Sequence, residues 1–185
     1  KNTRESLEKL KIAYSISELL DKLIRGEEPD KKIWSLLNEI FENLNSAVSS
    51  FSEKKLEILY YYFFWNLLSI LGYKIDLYKC SFCRKRLNSK LNYFSPEEGI
   101  ICQSCLSAKY PSVLSRFQRE KNEMQAGSSV SFMTGRVDII SPEVIKILRL
   151  FLKKDWQTLL RLKIADFQEK MLEEISEKYL LNISC

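Results

Sequence analysis

The 185-residue sequence contains no histidine and is poor in glycine and proline, with five and four residues respectively. Without an imidazole, the chain supplies no Ser-His-Asp or Cys-His triad of its own. The scarcity of glycine and proline disfavours a disordered chain or a turn-dense all-β fold. The glycine-rich motifs that bind nucleotide phosphates are also missing. These absences argue against an enzyme and favour a helical fold.

A hydrophobic stretch long enough to span a bilayer is missing as well. The most apolar run, ILYYYFFWNLLSIL at residues 58–71, covers about 14 residues, whereas a membrane helix needs about 20. We interpret this run as a buried helix and expect no membrane contact. The sequence begins at Lys1 with an amphipathic pattern and not with a secretion signal, so we expect a trimmed chain or part of a longer polypeptide.

The hydrophobic periodicity predicts helices in both halves of the chain. Apolar residues at helical spacing, beginning with Leu7, Leu10 and Tyr14, predict a first helix over residues 7–24. Asp30 is the expected N-cap of a second helix, and a third should start at Ser52 and end near Gly72. The predicted apolar face of the second helix consists of Ile33, Trp34, Leu37, Ile40, Phe41 and Leu44.

After Tyr73 the helical period disappears. Short β-prone pieces at residues 91–94 and 100–101 flank the turn sequence SPEEG, which predicts a β-hairpin. A helix over residues 111–121 and then a Gly- and Ser-containing loop are expected, before Ser141 and Pro142 start the next helix. Asp155 is the expected cap of a short helix that precedes the last one. The predicted fold is mainly α, a helical bundle with an inserted four-cysteine zinc-ribbon β-hairpin. Its parts are a first helical half (1–73), the zinc-ribbon module (74–107), an irregular connection (108–140) and a second helical half (141–185).

Four of the five cysteines form two Cys-x-x-Cys pairs, Cys80 with Cys83 and Cys102 with Cys105, separated by eighteen residues. Zinc prefers four tetrahedral ligands, and a spacer of one hairpin is typical of zinc ribbons. Four sulfurs saturate the ion and leave no open position for a substrate, so the pattern predicts one structural Zn²⁺. A disulfide pair would suit a secreted chain, and a redox pair would normally open a helix in a thioredoxin-like fold; neither context is indicated. Cys185 is interpreted as a solvated thiol.

The basic residues are concentrated around these cysteines. Net charge is −1 over residues 1–73, +5 over 74–140 and +1 over 141–185. Four zinc-bound thiolates would lower the +5 of the whole chain to about +3. The basic residues are candidates for phosphate contacts without sequence preference, although a solvated basic surface explains them equally well. The candidates are Lys79, Arg84, Lys85, Arg86, Lys90, Lys109, Arg116, Arg119 and Lys121. Tyr93 and Phe94 could stack on nucleic-acid bases, but we prefer the interpretation that they pack in the core of the hairpin.

Taken in order, several segments resemble the C-terminal helical and zinc-binding region of the RecO family of bacterial recombination mediators. The most specific are LGYKIDLYKCSFC leading into YFSPEEGIICQSC, and SPEVIKILR after the zinc module. The resemblance implies a non-enzymatic, cytoplasmic, nucleoid-associated protein of DNA repair and homologous recombination. It implies binding of single- and double-stranded DNA, RecR and the C-terminal tail of single-strand-binding protein, with RecF, in strand annealing and RecA loading. The segments that carry the resemblance do not include a counterpart of that family's N-terminal OB-fold.

Two further functions remain as alternatives. One is a zinc-stabilised protein-interaction module whose basic face binds an acidic peptide and does not contact DNA. The other is a zinc- or carboxylate-dependent enzyme, which would need an open metal position or a carboxylate pair in a pocket. The visible carboxylate pairs, such as Glu97 with Glu98, lie where solvated charge is the ordinary explanation.

Overall fold

The computed structural model describes residues 7–24, 26, 30–46, 53–87, 92–113, 115, 137–154 and 156–184. Within these ranges the chain is mainly helical and has one small antiparallel sheet, which confirms the predicted fold class. The elements are α1 (Leu7–Leu23), α2 (Lys31–Ser46), α3 (Glu53–Ile70), β1 (Asn92–Ser95), β2 (Gly99–Cys102), α4 (Gln103–Lys109), β3 (Asp138–Ile140), α5 (Pro142–Lys153), α6 (Trp156–Arg161) and α7 (Asp166–Ser184). None of these helices is both long enough and apolar enough to cross a membrane.

The chain forms two compact units. The first consists of residues 1–74, 150–163 and 183–185, and the second of residues 75–149 and 164–182. The four-part organisation expected from the sequence stays a prediction.

In the first unit, α1 and α2 both pack against α3. Helix α3 is apolar around most of its circumference, and Tyr62, Phe63 and Leu67 are completely buried. A helix that is apolar on all sides must be covered on all sides, so α3 forms the centre of this unit. Gly72, which has a φ of +93°, follows the helix and ends it at the predicted place.

Two polar side chains of α3 are satisfied inside this core. The Tyr62 hydroxyl donates to Glu39 Oε1 of α2 over 2.6 Å, and burial together with this carboxylate raises the pKa of Tyr62. The buried Asn66 amide donates to the Tyr62 carbonyl at 2.9 Å and to the Phe151 carbonyl at 3.0 Å. Because an unpaired buried amide would be costly, these bonds fix the place of residue 151 in the unit.

The predicted apolar face of α2 is wrong in part. Trp34 is 66% exposed and Phe41 37% exposed, whereas Leu36, which the prediction omitted, is completely buried. The buried stripe runs through Ile33, Leu36, Ile40 and Leu44. Its spacing of three and four residues leaves positions 34 and 41 outside the contact with α3. On α1, Leu7 and Tyr14 are also exposed, although the periodicity placed them on the apolar side.

The second unit contains the sheet, whose strand order is β2-β1-β3 with both pairs antiparallel. The β1–β2 hairpin confirms the prediction made from the SPEEG turn, with Ser95 opposite Gly99. Strand β3, at residues 138–140, lies in a stretch for which no strand was predicted. Side chains of β1 are buried along its whole length, so both faces of this central strand are covered.

An ion pair joins β3 to α7 within this unit. Lys178 Nζ lies 2.7 Å from Asp138 Oδ2, and the Asp138 side chain is completely buried. A buried carboxylate is costly without a cation, so this lysine is required at its position. Phe94 of β1 also meets Tyr179 of α7 edge to face, with ring centroids 6.0 Å apart.

Two predicted helix N-caps are confirmed. Asp30 Oδ1 accepts the amide protons of Lys32 at 2.6 Å and Ile33 at 3.4 Å, and Ser141 Oγ accepts that of Val144 at 3.2 Å. Pro142 occupies the first position of α5, as expected. The expected caps at Ser52 and Asp155, and most of the expected helix at 111–121, lie outside the described residues.

The Asp30 cap makes a testable prediction. The Asp30→Ala variant should lose about 1 kcal/mol of unfolding free energy, because two helix amides lose their acceptor. Asp30→Ser should keep most of the stability, since a serine hydroxyl also caps. Urea unfolding followed by circular dichroism measures both; equal losses in the two variants would contradict a capping role.

Candidate metal centre

The first Cys-x-x-Cys pair lies in a tight turn that precedes the hairpin. The Arg84 amide donates to the Cys80 carbonyl at 3.0 Å, and the Cys80 amide donates to the Lys85 carbonyl at 2.9 Å. Arg84 adopts a left-handed conformation with a φ of +58°. This conformation is unfavourable for residues other than glycine, and it reverses the chain directly after the second thiol. The turn therefore presents both thiols on one side.

The second pair lies where β2 passes into α4. Cys102 is the last residue of the strand and the N-cap of the helix, and Cys105 follows in the first turn of that helix. Ser81 links the two pairs, because its amide and its hydroxyl both donate to the Ile100 carbonyl, at 2.9 and 3.1 Å. The contact is close: a Cβ added to Gly99, which has a φ of +88°, would lie 3.0 Å from Ser81 Oγ.

The four sulfur atoms of these pairs converge on one point. All the Sγ atoms of Cys80, Cys83, Cys102 and Cys105 lie within 4.8 Å of one another, and all four are free thiols. The Cys83 and Cys102 Sγ atoms are 3.8 Å apart. Four sulfurs at 2.3 Å from a central ion are separated by about 3.8 Å, so the cluster has the size that a tetrahedral metal ion needs.

The acidity of the thiols also fits a cation. Burial opposes ionisation of Cys80, but hydrogen bonds from the Cys102 and Cys83 amides outweigh it and lower the pKa of Cys80 to about 7. Desolvation, and then hydrogen bonds with the neighbouring thiols, raise the pKa of Cys105 to about 12. The protein groups alone therefore favour the thiolate of Cys80 over that of Cys105. A bound dication would favour all four, because metal ligation deprotonates thiols.

A small hydrophobic cluster lies beneath the thiols. Cys80, Tyr93, Ile101, Leu106 and Val137 form its buried part, with Phe82 among the residues packed against it. Apolar area of this size stabilises a separate module only weakly, so a metal ion held by the four thiols would contribute much of the local stability.

Lys109 fastens the end of α4 to the hairpin. Its Nζ lies 2.6 Å from Glu98 Oε1 and 3.9 Å from the centroid of the Phe82 ring. The Tyr110 hydroxyl donates to the second oxygen of Glu98 at 3.0 Å. Lys109 is therefore engaged inside the module.

Asp76 organises the backbone that leads into the first turn. Its Oδ1 accepts the amide protons of Tyr78 at 2.9 Å and Lys79 at 3.0 Å, and its Oδ2 lies 3.2 Å from Arg84 Nη2. Partial burial opposes ionisation, but the two amides and the guanidinium outweigh it and keep the pKa of Asp76 below its usual value. This carboxylate thus holds both ends of the turn that carries Cys80 and Cys83.

The structure describes five of the nine candidate phosphate-binding residues, and one of the five, Lys109, is the residue paired with Glu98. Lys79, Arg84, Lys85 and Arg86 are exposed around the first turn, and Arg84 is paired with Asp76. The other four candidates, Lys90, Arg116, Arg119 and Lys121, lie outside the described residues. Tyr93 and Phe94 are buried, which confirms their interpretation as hairpin core.

Two residues near the centre, Asp76 and Arg149, were not predicted from the sequence. Asp76 had a usable signal, because an aspartate two residues before a turn amide commonly accepts its proton. Arg149 donates to the Leu77 carbonyl and lies against the ring of Tyr78, but its contact spans 72 residues of sequence, so no local pattern indicates it.

The fold and the centre together define a mainly helical protein that carries a four-thiol metal-binding hairpin between its helices. Residues 4–111, more than half of the chain, match the family described as Recombination protein O C terminal. The chain belongs to this family, and the matched region contains all four cysteines.

Individual relatives agree with the family match. The chain is 28% identical over 183 residues to the DNA repair protein RecO of Dehalococcoides mccartyi, an alignment covering 98% of the chain and 58% of that protein. It is 27% identical over 176 residues to the RecO of Syntrophomonas wolfei, covering 95% and 58%, and 31% identical over 103 residues to that of Roseiflexus sp., covering 55% and 34%. The chain thus spans less than two thirds of the length of these relatives. No solved structure matches it.

The Asp76 carboxylate makes a second prediction. Asp76→Asn should lower the free energy of unfolding by about 1 kcal/mol, because a neutral amide pairs with Arg84 and the two backbone amides less well. Glu97→Gln, an exposed change at the hairpin turn, is the matched control and should have no effect.

The lowered pKa of Asp76 also predicts how its contribution to stability depends on pH. Because the folded pKa of Asp76 lies below its ordinary value of 3.8, its stabilising contribution is complete above that value and is lost as pH falls through the folded pKa. The difference in stability between wild type and Asp76→Asn should therefore stay constant from pH 8 to about 5. Denaturant titrations at each pH measure it, and a difference that already shrinks in this window would contradict the assignment.

Proposed function

We propose that this chain is the helical and zinc-binding part of a non-enzymatic recombination mediator of DNA repair. The observation that carries the proposal is the family match over residues 4–111, which includes the whole four-cysteine centre. The relatives bear the name DNA repair protein. We propose that the protein acts through non-covalent contacts with DNA and partner proteins and not through a reaction of its own.

The metal proposed for the centre is one Zn²⁺, with Cys80, Cys83, Cys102 and Cys105 as its ligands. Four thiolates suit a soft dication with a preference for tetrahedral geometry, and the sulfur spacing agrees with Zn–S bonds of about 2.3 Å. A site saturated by four sulfurs offers no coordination position to a substrate. The zinc would thus hold the hairpin and α4 together.

The proposed partners follow from the family. They are single- and double-stranded DNA, RecR, RecF and the acidic C-terminal tail of single-strand-binding protein, in strand annealing and RecA loading. Lys79, Lys85 and Arg86 are exposed on the first turn and support a phosphate contact. We propose a cytoplasmic, nucleoid-associated location because the proposed function in DNA repair requires contact with chromosomal DNA.

The alternative is a protein-interaction module that binds an acidic peptide without DNA. The same exposed cations favour it, since carboxylates and phosphates both pair with lysine and arginine. Discrimination between the two therefore depends on measured binding.

The zinc proposal predicts one ion per chain. Replacing both Cys80 and Cys83 with serine should abolish zinc retention and expose the hydrophobic cluster, because two ligands cannot hold the ion against solvent. The matched control is Cys185→Ser, which changes a cysteine outside the set. Metal analysis of protein prepared without chelators gives the readout, and a wild-type content below about 0.2 zinc per chain would contradict the proposal.

The DNA proposal predicts salt-dependent binding. Fluorescence anisotropy with a labelled single strand should show an affinity that falls steeply between about 50 and 200 mM salt, because phosphate contacts release counterions. A labelled peptide with the acidic tail of single-strand-binding protein is titrated under the same conditions. Peptide binding without measurable DNA binding would favour the interaction module instead.

A further inference from the structure

Two cations face each other across the first turn of the metal centre. Lys79 and Arg86 are paired in a single antiparallel bridge, and the hydrogen bonds on either side of it are donated by the amides of Cys80 and Leu87. Lys79 and Arg86 thus form a non-hydrogen-bonded pair, the class in which opposite Cα atoms approach to about 4.5 Å and side chains leave from the same face. Both residues are exposed.

This arrangement is unfavourable in the absence of an anion. Like charges directly opposite each other in a strand pair destabilise it. The nearby carboxylate of Asp76 attracts Lys79, but its oxygens are already committed to Arg84 and to two backbone amides. Among the residues that the structure describes, no carboxylate lies within ion-pair distance of Lys79 or Arg86. One anionic oxygen group placed between the two side chains would remove the repulsion.

An aromatic ring lies beside this pair. Arg149 donates to the Leu77 carbonyl from Nε at 3.0 Å and from Nη2 at 2.6 Å, and its guanidinium lies 4.5 Å from the centroid of the Tyr78 ring. The anchored guanidinium covers one face of the ring and restrains its position. Tyr78 is still 49% exposed, so about half of its surface remains accessible beside the anchored guanidinium. A restrained ring that is half exposed is suited to stacking with another planar group.

We propose that Tyr78, Lys79 and Arg86 form a binding site for one nucleotide of a single-stranded nucleic acid. The phosphodiester lies between Lys79 and Arg86, and the base stacks on the Tyr78 ring. This inference rests on the proposed DNA-binding function and assigns it to particular residues.

A single strand satisfies the site better than a duplex does. Tyr78 and Lys79 are consecutive exposed residues, so the ring and the amine lie close together along the chain. A flexible single strand can adjust its backbone to offer a phosphate to the cation pair and a base to the ring. A base in a duplex is already stacked and paired, and would have to be unstacked first.

The test measures binding of a fluorescent oligothymidine and of a duplex of equal length to the zinc-loaded full chain, by anisotropy at several salt concentrations. Tyr78→Ala should weaken single-strand binding about 5- to 100-fold, the usual effect of losing a stacked base, whereas Tyr78→Phe should stay close to wild type. Duplex binding should change little in either variant.

The cation pair is tested by Lys79→Gln combined with Arg86→Gln. Loss of one phosphate contact should reduce the slope of log affinity against log salt by about 0.7 for the single strand. Lys146→Gln is the matched control, because Lys146 is an exposed cation of the same unit on α5. Zinc content and melting temperature should not fall in Lys79→Gln, since the change removes a repulsion.

The possible results separate two kinds of failure. If wild type binds the oligonucleotide and the Tyr78, Lys79 and Arg86 variants bind no more weakly than the Lys146→Gln control, the proposed nucleotide site is contradicted. The proposed DNA binding of the chain is then unaffected. The assignment of a base stacked on Tyr78 is contradicted by either of two results. One is that Tyr78→Ala weakens duplex binding and single-strand binding equally. The other is that Tyr78→Phe binds the single strand as weakly as Tyr78→Ala does. If wild type binds neither nucleic acid but binds an acidic peptide, both this site and the proposed DNA contact are overturned.

Discussion

The second unit depends on the convergence of four thiols at one point. Hydrogen bonds from backbone amides lower the pKa of Cys80 to about 7, whereas desolvation and the neighbouring thiols raise that of Cys105 to about 12. The left-handed Arg84, the close contact of Gly99 with Ser81 and the passage of β2 into α4 all bring sulfurs within 4.8 Å. A metal ion bound among these four donors would couple ligation to folding in this hairpin.

Two carboxylates near the metal centre form ion pairs with some of the basic side chains and leave others available to a ligand. Asp76 engages Arg84, and Glu98 engages Lys109. The basic sequence around the cysteines thus contains two kinds of positive charge: Arg84 and Lys109 pair with carboxylates, whereas Lys79 and Arg86 make no ion pair among the described residues. A net charge counted from the sequence cannot separate these kinds, because the difference depends on which side chain reaches a carboxylate.

Features set by neighbouring residues could be predicted from the sequence, and features set by distant residues could not. The caps at Asp30 and Ser141, the hairpin and the cysteine cluster follow from short-range turn and spacing rules. The exposed Trp34 was missed because periodicity alone does not say how wide a buried stripe is. Strand β3 was also missed, since three residues give too short a pattern and its pairing partner is far away in sequence.

The pairing of β3 with β1 has a consequence for the order of synthesis. Ser95 pairs with Gly99, only four positions away, whereas Phe94 also pairs with Asp138, 44 positions away. All four cysteines and the hairpin therefore leave the ribosome before the third strand exists, and one edge of β1 stays open during that interval. An open edge invites pairing with other chains. Because the entropy of closing a loop rises only with the logarithm of its length, the connecting segment can vary in length at a cost of about 0.6 kcal/mol per doubling. The time for which this edge stays open during synthesis grows with each residue added to the connecting segment.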